Sequence, residues 1–213
     1  MLSTLCLLAF TGITYAQSSR ITGPGELTVS GTLTAPACQV IQSDNGDYDY
    51  GRIDSNLIPV SGSYTHSSMV KMWSVQCDAD THLSFKAIDN AASTSAGTGI
   101  THFGLGSNPS VEDSKLGYYT VLMRNAKVDG ADTNLYAING TPIAGSAAVY
   151  VHGDGVYSMG WAKVGAVGEP HIGRSFVVDM EVTPVFAHRG LVGPIADDVP
   201  LAGSLSLTFQ FGI

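Results

Sequence analysis

Charge is scarce in this chain. Only 13% of its 213 residues are Asp, Glu, Lys or Arg, and the ten cations never cluster, leaving a net charge of −8. That balance excludes a binder of phosphate backbones, which needs grouped Lys and Arg. It suits a soluble surface repelled by anionic membranes. Long hydrophobic runs are missing too: no segment reaches about 18 consecutive apolar residues, which rules out a membrane-spanning helix. Helical periodicity is also lacking, since no stretch repeats apolar residues at i, i+3, i+4 and i+7 with charge between.

Catalytic constellations fail in turn. There is no G-x-S-x-G elbow, because Val156-Tyr157-Ser158-Met159-Gly160 lacks the first Gly. No H-E-x-x-H occurs, and His66, His82, His102, His152, His171 and His188 are not at metal-pair spacing. His152-Gly153-Asp154 supplies two potential ligands, but a loop His beside a turn Asp reads as solvated. Gly97-Thr98-Gly99 and Gly104-Leu105-Gly106 lack the strand-to-helix setting of a phosphate loop. Asp44 to Asp49 has the acidity of a calcium loop without its ligand alternation or closing Glu, so it reads as a hairpin turn. The expectation is a protein that is not an enzyme and uses no metal or cofactor.

What is present begins with the apolar run Met1 to Phe10, followed by Thr14-Tyr15-Ala16 with small residues at the first and third places. This is the pattern of a secretory signal peptide over residues 1–16, cleaved before Gln17. No Lys or Arg precedes Arg20, so a start codon further upstream is expected. Cys6 falls in the removed segment and leaves Cys38 and Cys77. An even pair in an exported chain reads as one disulfide. Two free thiols or a metal pair are the alternatives, and neither has CxxC spacing or His neighbours in its favour. Closing a loop of about 40 residues stabilises a fold by roughly 3–4 kcal/mol in the chain-entropy model.

Glycine is abundant, with 25 residues, and with nine prolines it punctuates a series of strand signals. Leu27, Val29, Leu33 and Ala35 alternate with Thr28, Ser30, Thr32 and Thr34, and Pro36 ends that strand. Ser43 to Asp47 is a turn carrying the Asn-Gly hairpin signal, after which Tyr48, Tyr50 and Ile53 resume a short strand. Trp73, Val75 and Cys77 share one face, and Leu83, Phe85 and Ala87 another, so Asp78-Ala79-Asp80 is expected to be the turn of a hairpin. Asp89 to Pro109 reads as a long surface loop enclosing a short pairing around Thr101 to Leu105. Leu116 to Arg124 returns to strand character, and Asn125 to Gly145 is a turn-rich excursion. Phe176, Val178, Met180 and Val182 then form a clean apolar face. So do Leu205, Leu207, Phe209, Phe211 and Ile213. Such strands predict an all-β, two-sheet sandwich of immunoglobulin-like topology, one domain over residues 31–213.

The two ends are unusual together. Residues 17–30 are polar and Gly-rich, yet Ile21, Gly23, Gly25, Leu27 and Val29 lie on one side when extended. Such a segment has too few bulky groups to fold alone, but it could add as a strand to another sheet's edge. The C-terminal strand would form one wall of the accepting groove. Leu27-Thr28-Val29-Ser30-Gly31-Thr32-Leu33-Thr34-Ala35-Pro36-Ala37-Cys38 resembles the start of chaperone–usher fimbrial (pilin) subunits, in particular a branch of predicted major fimbrial subunits. Asn45-Gly46, Asp49-Tyr50-Gly51, Asp89-Asn90, Phe103 to Gly106 and Gly117 to Tyr119 continue the resemblance to about Arg124.

The resemblance implies an immunoglobulin-like sandwich lacking its final strand. A periplasmic chaperone supplies that strand first, and a neighbouring subunit's extension replaces it by donor-strand exchange at the outer-membrane usher. Carried over, Ile21 would enter the first-engaged pocket, Gly23 would take the small-residue position, and Gly25, Leu27 and Val29 would follow. Cys38 and Cys77 would link the first two strands. Two departures stand out: Gly212 holds the penultimate place usually taken by an aromatic, and Pro24 removes a ladder donor from the extension. The expected role is a structural subunit of a cell-surface fimbria, reached by export through the periplasm. The alternative is a glycan-binding tip or minor adhesin, for which Asp89 to Pro109 is poor in exposed aromatics.

Overall fold

A computed structural model describes residues 28–32, 34–140, 145–165 and 169–212. The chain divides into two units, Met1–Thr34 and Ala35–Ile213, and the second carries all the regular structure described below. It is an all-β body: a curled antiparallel sheet of eleven strands with a single four-residue α-helix. Among the described residues no helix is long and apolar enough to cross a membrane.

The sheet is organised by one strand. β3 (Met69–Asp89) runs for 21 residues, and four other strands are bonded along its two edges. On one edge β10 (Ile172–Phe186) pairs between Met69 and His82, and β9 (Ser158–Ala162) pairs at Ser84 and Phe85. On the other edge β1 (Cys38–Gln42) pairs with Trp73 to Cys77, and β11 (Leu205–Gly212) with His82 to Asp89. Gln76 is flanked by both Gln39 and Ser175, and His82 by both Ile172 and Gly212. Hence β1 and β11 lie end to end along the same edge, opposite β10.

This arrangement corrects the expected hairpin at Asp78-Ala79-Asp80. The strand runs on through those residues without reversing, but its ladder with β10 is interrupted there. The register jumps from Thr81 opposite Gly173 to Gln76 opposite Ser175, which sets Cys77 to Asp80 against Arg174 alone. The acidic side chains serve the neighbouring strands: Asp78 accepts a hydrogen bond from the Ala37 amide at 2.9 Å, and Asp80 pairs with Arg174 at 2.6 Å. A bulge bends and twists a strand without reversing it, so β3 serves both halves of the curled sheet.

The remaining strands fill in from β10. β5 (Gly117–Val128) lies on its far edge, and the short strands β4 (Phe103–Gly104), β6 (Ala131–Asp132) and β8 (Ala148–Tyr150) pair with β5 in turn. β7 (Asn134–Ile138) pairs with β9, and β2 (Tyr64–Thr65) with the end of β10. In β5 the buried positions run Tyr119, Val121, Met123, then Ala126 and Val128. Asn125, at φ 53°, supplies the bulge that shifts the alternation by one residue. Thus Asn125 to Gly145, expected as an excursion, contains the end of β5 and all of β6 and β7.

Three other expectations are altered. Residues 28–32 and 34–37 carry no strand, since alternation marks a face but only a ladder neighbour makes a strand; Leu27 and Leu33 lie outside the described residues. The Asn-Gly turn forms, with Asp44, Asn45 and Gly46 all at positive φ, yet it joins no hairpin: β1 pairs with β3, and the chain from Asp47 is extended without a ladder. Asp89 to Pro109 contains the short pairing foreseen around Phe103, but it is no loose surface loop. Phe103, Leu105 and Asn108 are buried, and the Asp89 carboxylate accepts from the amides of Ala91 and Gly104.

The core gathers the inward faces of these strands. Trp161 sits at its centre, edge-on to Phe176 at 5.4 Å and to Phe85 at 6.5 Å, with its indole N–H donated to the Val177 carbonyl at 3.0 Å. Cys38 and Cys77 are bridged, closing a sequence separation of 39. Replacing both with Ala should cost about 3–4 kcal/mol, read as a lower urea midpoint that matches the fully reduced wild type. At the β5–β6 turn, the Asp129 carboxylate accepts the Ser175 amide at 2.8 Å and the Arg174 amide at 3.0 Å. These bonds hold its pKa below the ordinary 3.8. The folded chain therefore binds fewer protons there than the unfolded one, and the contribution, present above pH ~4, is lost as pH falls through the depressed value. Asp129→Asn, which tolerates the positive φ, should lose under about 1 kcal/mol at pH 7 and show a flatter stability profile below pH ~4.

Candidate functional site

The candidate site is a groove beside β11. β11 has β3 on one side only, and no described strand pairs with its outer edge. Its eight residues, Leu-Ser-Leu-Thr-Phe-Gln-Phe-Gly, include no charge, no proline and no bulge. These are the features by which natural edge strands prevent further pairing. Leu205, Leu207 and Phe209 point toward the core but are only half-buried. Their partners in β3, Asp89 aside, are fully enclosed: Ala87 and Phe85 are 0% exposed.

Facing β11 across the groove is the extended segment that follows the Asn-Gly turn. A cavity of about 340 Å³ lies between them, walled by Gly46, Asp47, Tyr48 and Tyr50 on one side and by Gly203, Ser204, Leu205 and Leu207 on the other. Its floor is formed by Tyr119 and Val121 of β5 and Met180 and Val182 of β10. It adjoins a wider cleft of about 1120 Å³ between Asp47 to Ile58 and Ile195 to Leu201. The acidic side chains Asp47, Asp49, Asp54, Asp197 and Asp198 line that cleft.

The segment 47–54 is held without backbone ladder bonds. Tyr48 donates its phenol to the Met180 carbonyl at 3.1 Å, and Tyr50 donates to the Val182 carbonyl at 2.8 Å. The Trp73 indole N–H donates to the Tyr48 oxygen at 3.2 Å. Lys71 pairs with the Asp44 carboxylate at 2.6 Å, donates to the Asp47 carbonyl, and lies over the Tyr48 ring at 5.4 Å. Burial raises the pKa of both phenols, that of Tyr50 to about 12, so both stay protonated donors at any physiological pH.

The residues singled out from sequence divide into several groups. Cys38 and Cys77 meet in the bridge, Leu205 and Leu207 line the groove, and Phe209 packs half-buried against the core beyond it. Phe211 departs from the expected apolar face: it is 43% exposed, because at the end of an edge strand it has cover from β3 alone. At the same end Thr81 donates its hydroxyl to the Gly212 carbonyl at 2.7 Å. Ile21, Gly23, Gly25 and Leu27 lie outside the described residues, as does Ile213. Val29 is described and belongs to no strand.

Tyr48 and Tyr50 are the functional residues that sequence reasoning placed in a strand and the structure places in the opposite wall. Their alternation with Asp47 and Asp49 was a usable signal. What it lacked was any mark of the missing ladder. Among the described residues no group of three or more His, Cys, Asp or Glu is arranged to hold a metal ion.

An edge that no described strand pairs, with half-buried apolar side chains and a groove beside it, can accept an extended peptide by strand addition. No family model matches the chain, and no curated protein matches it. Substitutions should register the incompleteness of this edge. Phe85→Ala should cost about 3–5 kcal/mol in the isolated chain, whereas Leu207→Ala, already half exposed, should cost under about 2 kcal/mol, both measured by urea denaturation.

Proposed function

We propose that the chain is a structural subunit of a bacterial fimbria, whose sheet is completed by a strand from another polypeptide. The observation that carries this reading is the uncharged, singly paired C-terminal strand β11, with its apolar face half-buried along an open groove. An isolated edge of this kind is a liability in a finished protein. In a polymerising subunit it is the joining surface. The N-terminal residues Ile21, Gly23, Gly25, Leu27 and Val29 have the alternation of a donor strand, and the similarity of Leu27 to Cys38 to fimbrial subunits supports the same role.

On this reading the curled sheet is an immunoglobulin-like sandwich lacking one strand, and residues 17–30 are the strand it offers to its neighbour. The partners are adjacent subunits in the fibre, a periplasmic chaperone that covers the groove before assembly, and an outer-membrane usher. The chain reaches the cell surface through the periplasm after loss of residues 1–16. The groove is a protein-binding surface, and no catalytic step is assigned to it.

A synthetic peptide spanning Ser18 to Gly31, added to the purified chain, should raise its melting temperature. At 100 times its dissociation constant the gain is about 2.7 kcal/mol, a shift of roughly 5–10 °C for a domain of this size. A scrambled peptide of the same composition should leave the transition where it was. No shift at saturating peptide, together with a chain that stays monomeric on concentration, would remove the proposal.

A further inference from the structure

We infer that Tyr48 and Tyr50 make the segment from Asp47 to Asp54 a strap, which lies across part of the groove and swings outward when a strand enters. The inference rests on the strand-accepting reading and concerns how that same site is regulated.

Size gives the first argument. The cavity beside β11 measures about 340 Å³, near the lower limit of the roughly 300–1,000 Å³ that hold one small molecule. A strand laid along β11 must therefore extend into the adjoining cleft of about 1120 Å³, and Tyr48 and Tyr50, which line both spaces, stand between the two. β11 is fixed to β3 over its whole length. The opposite wall has no ladder bonds, so it is the one free to move.

Attachment gives the second. Two phenol hydrogen bonds to β10 carbonyls anchor the segment, at Met180 and Val182. Both rings line the smaller cavity and the wider cleft, over the floor where an entering strand's inward side chains would lie. Besides the phenol bonds, the Trp73 N–H donates to the Tyr48 oxygen and Arg52 makes an exposed pair with Asp198. Breaking these few side-chain bonds is a small cost beside unzipping a ladder, and the entering strand can replace them with its own backbone pairs.

The hinge gives the third. Asp44, Asn45 and Gly46 follow one another at φ 48°, 54° and 77°. Two non-glycine residues in this region form a strained stretch, which Lys71 clamps through the Asp44 carboxylate and the Asp47 carbonyl. A rigid clamp on one side and two detachable anchors on the other let the segment pivot as a unit.

The test is the rate at which the full chain takes up the Ser18 to Gly31 peptide, followed by Trp fluorescence, since Trp73 donates to Tyr48. Each anchor lost should speed uptake about fivefold, as for one net hydrogen bond, so Tyr48→Phe with Tyr50→Phe should be roughly 30-fold faster. The final amount of peptide bound should remain at least as high. A double variant that binds at the wild-type rate or more slowly overturns the strap while leaving strand acceptance intact. Wild type that binds no peptide at all overturns strand acceptance, and the strap with it. Should the double variant not fold, the single variants Tyr48→Phe and Tyr50→Phe, each keeping one phenol anchor, should each bind about fivefold faster; an unchanged rate in both overturns the inference.

Discussion

Backbone hydrogen bonding along β3 is the constraint to which the other features answer. A strand has two edges, and over 21 residues this one is long enough to give each edge to two different strands. β10 and β9 take one edge, and both are themselves paired further out. β1 and β11 take the other, and among the described residues neither has an outer neighbour. The open side of the molecule follows from that division. Where no further strand continues the sheet, the inward side chains of β11 are left half covered, and the tyrosines of the 47–54 segment lie across part of the gap.

The bulge at Gly173 to Ser175 permits this arrangement. Had Asp78-Ala79-Asp80 reversed the chain, β1 and β11 would pair with different strands instead of lying end to end along one. The side chains that favour a turn were turned to another use: Asp78 holds the Ala37 amide and Asp80 holds Arg174. Thr81, next along, holds the last turn of the ladder through Gly212. Polar residues thus fill the short gap between the ends of β1 and β11, where neither strand supplies a partner.

This shows what could be read from the sequence. The faces of β10 and β11 were legible in Phe176, Val178, Met180 and Val182 and in Leu205, Leu207 and Phe209, because alternation is a local property of one strand. The pair Cys38 and Cys77 was legible from counting. Pairing between strands was not, because it depends on residues far apart in the chain. Asn45-Gly46 makes its turn, yet the residues on either side bond to β3 and β10 instead of to each other. Likewise Asp89, read as the start of a loose loop, fixes that loop with two amide bonds. The alternation of Leu205, Leu207 and Phe209 marked β11 as a strand, whereas Tyr48 and Tyr50 were also read as a strand because no sequence pattern reports an absent ladder.

The position of the disulfide has a mechanical consequence. Cys38 is the first residue of β1, and its partner Cys77 lies midway along β3. Tension applied to the chain ahead of Cys38 reaches a covalent link before it reaches any hydrogen bond of β1. The load passes directly into the longest strand, which spreads it over both edges, and β1 is spared from peeling. Reduction would reverse the order of failure, with the five residue pairs of the β1 ladder taking the force in sequence from Cys38 onward.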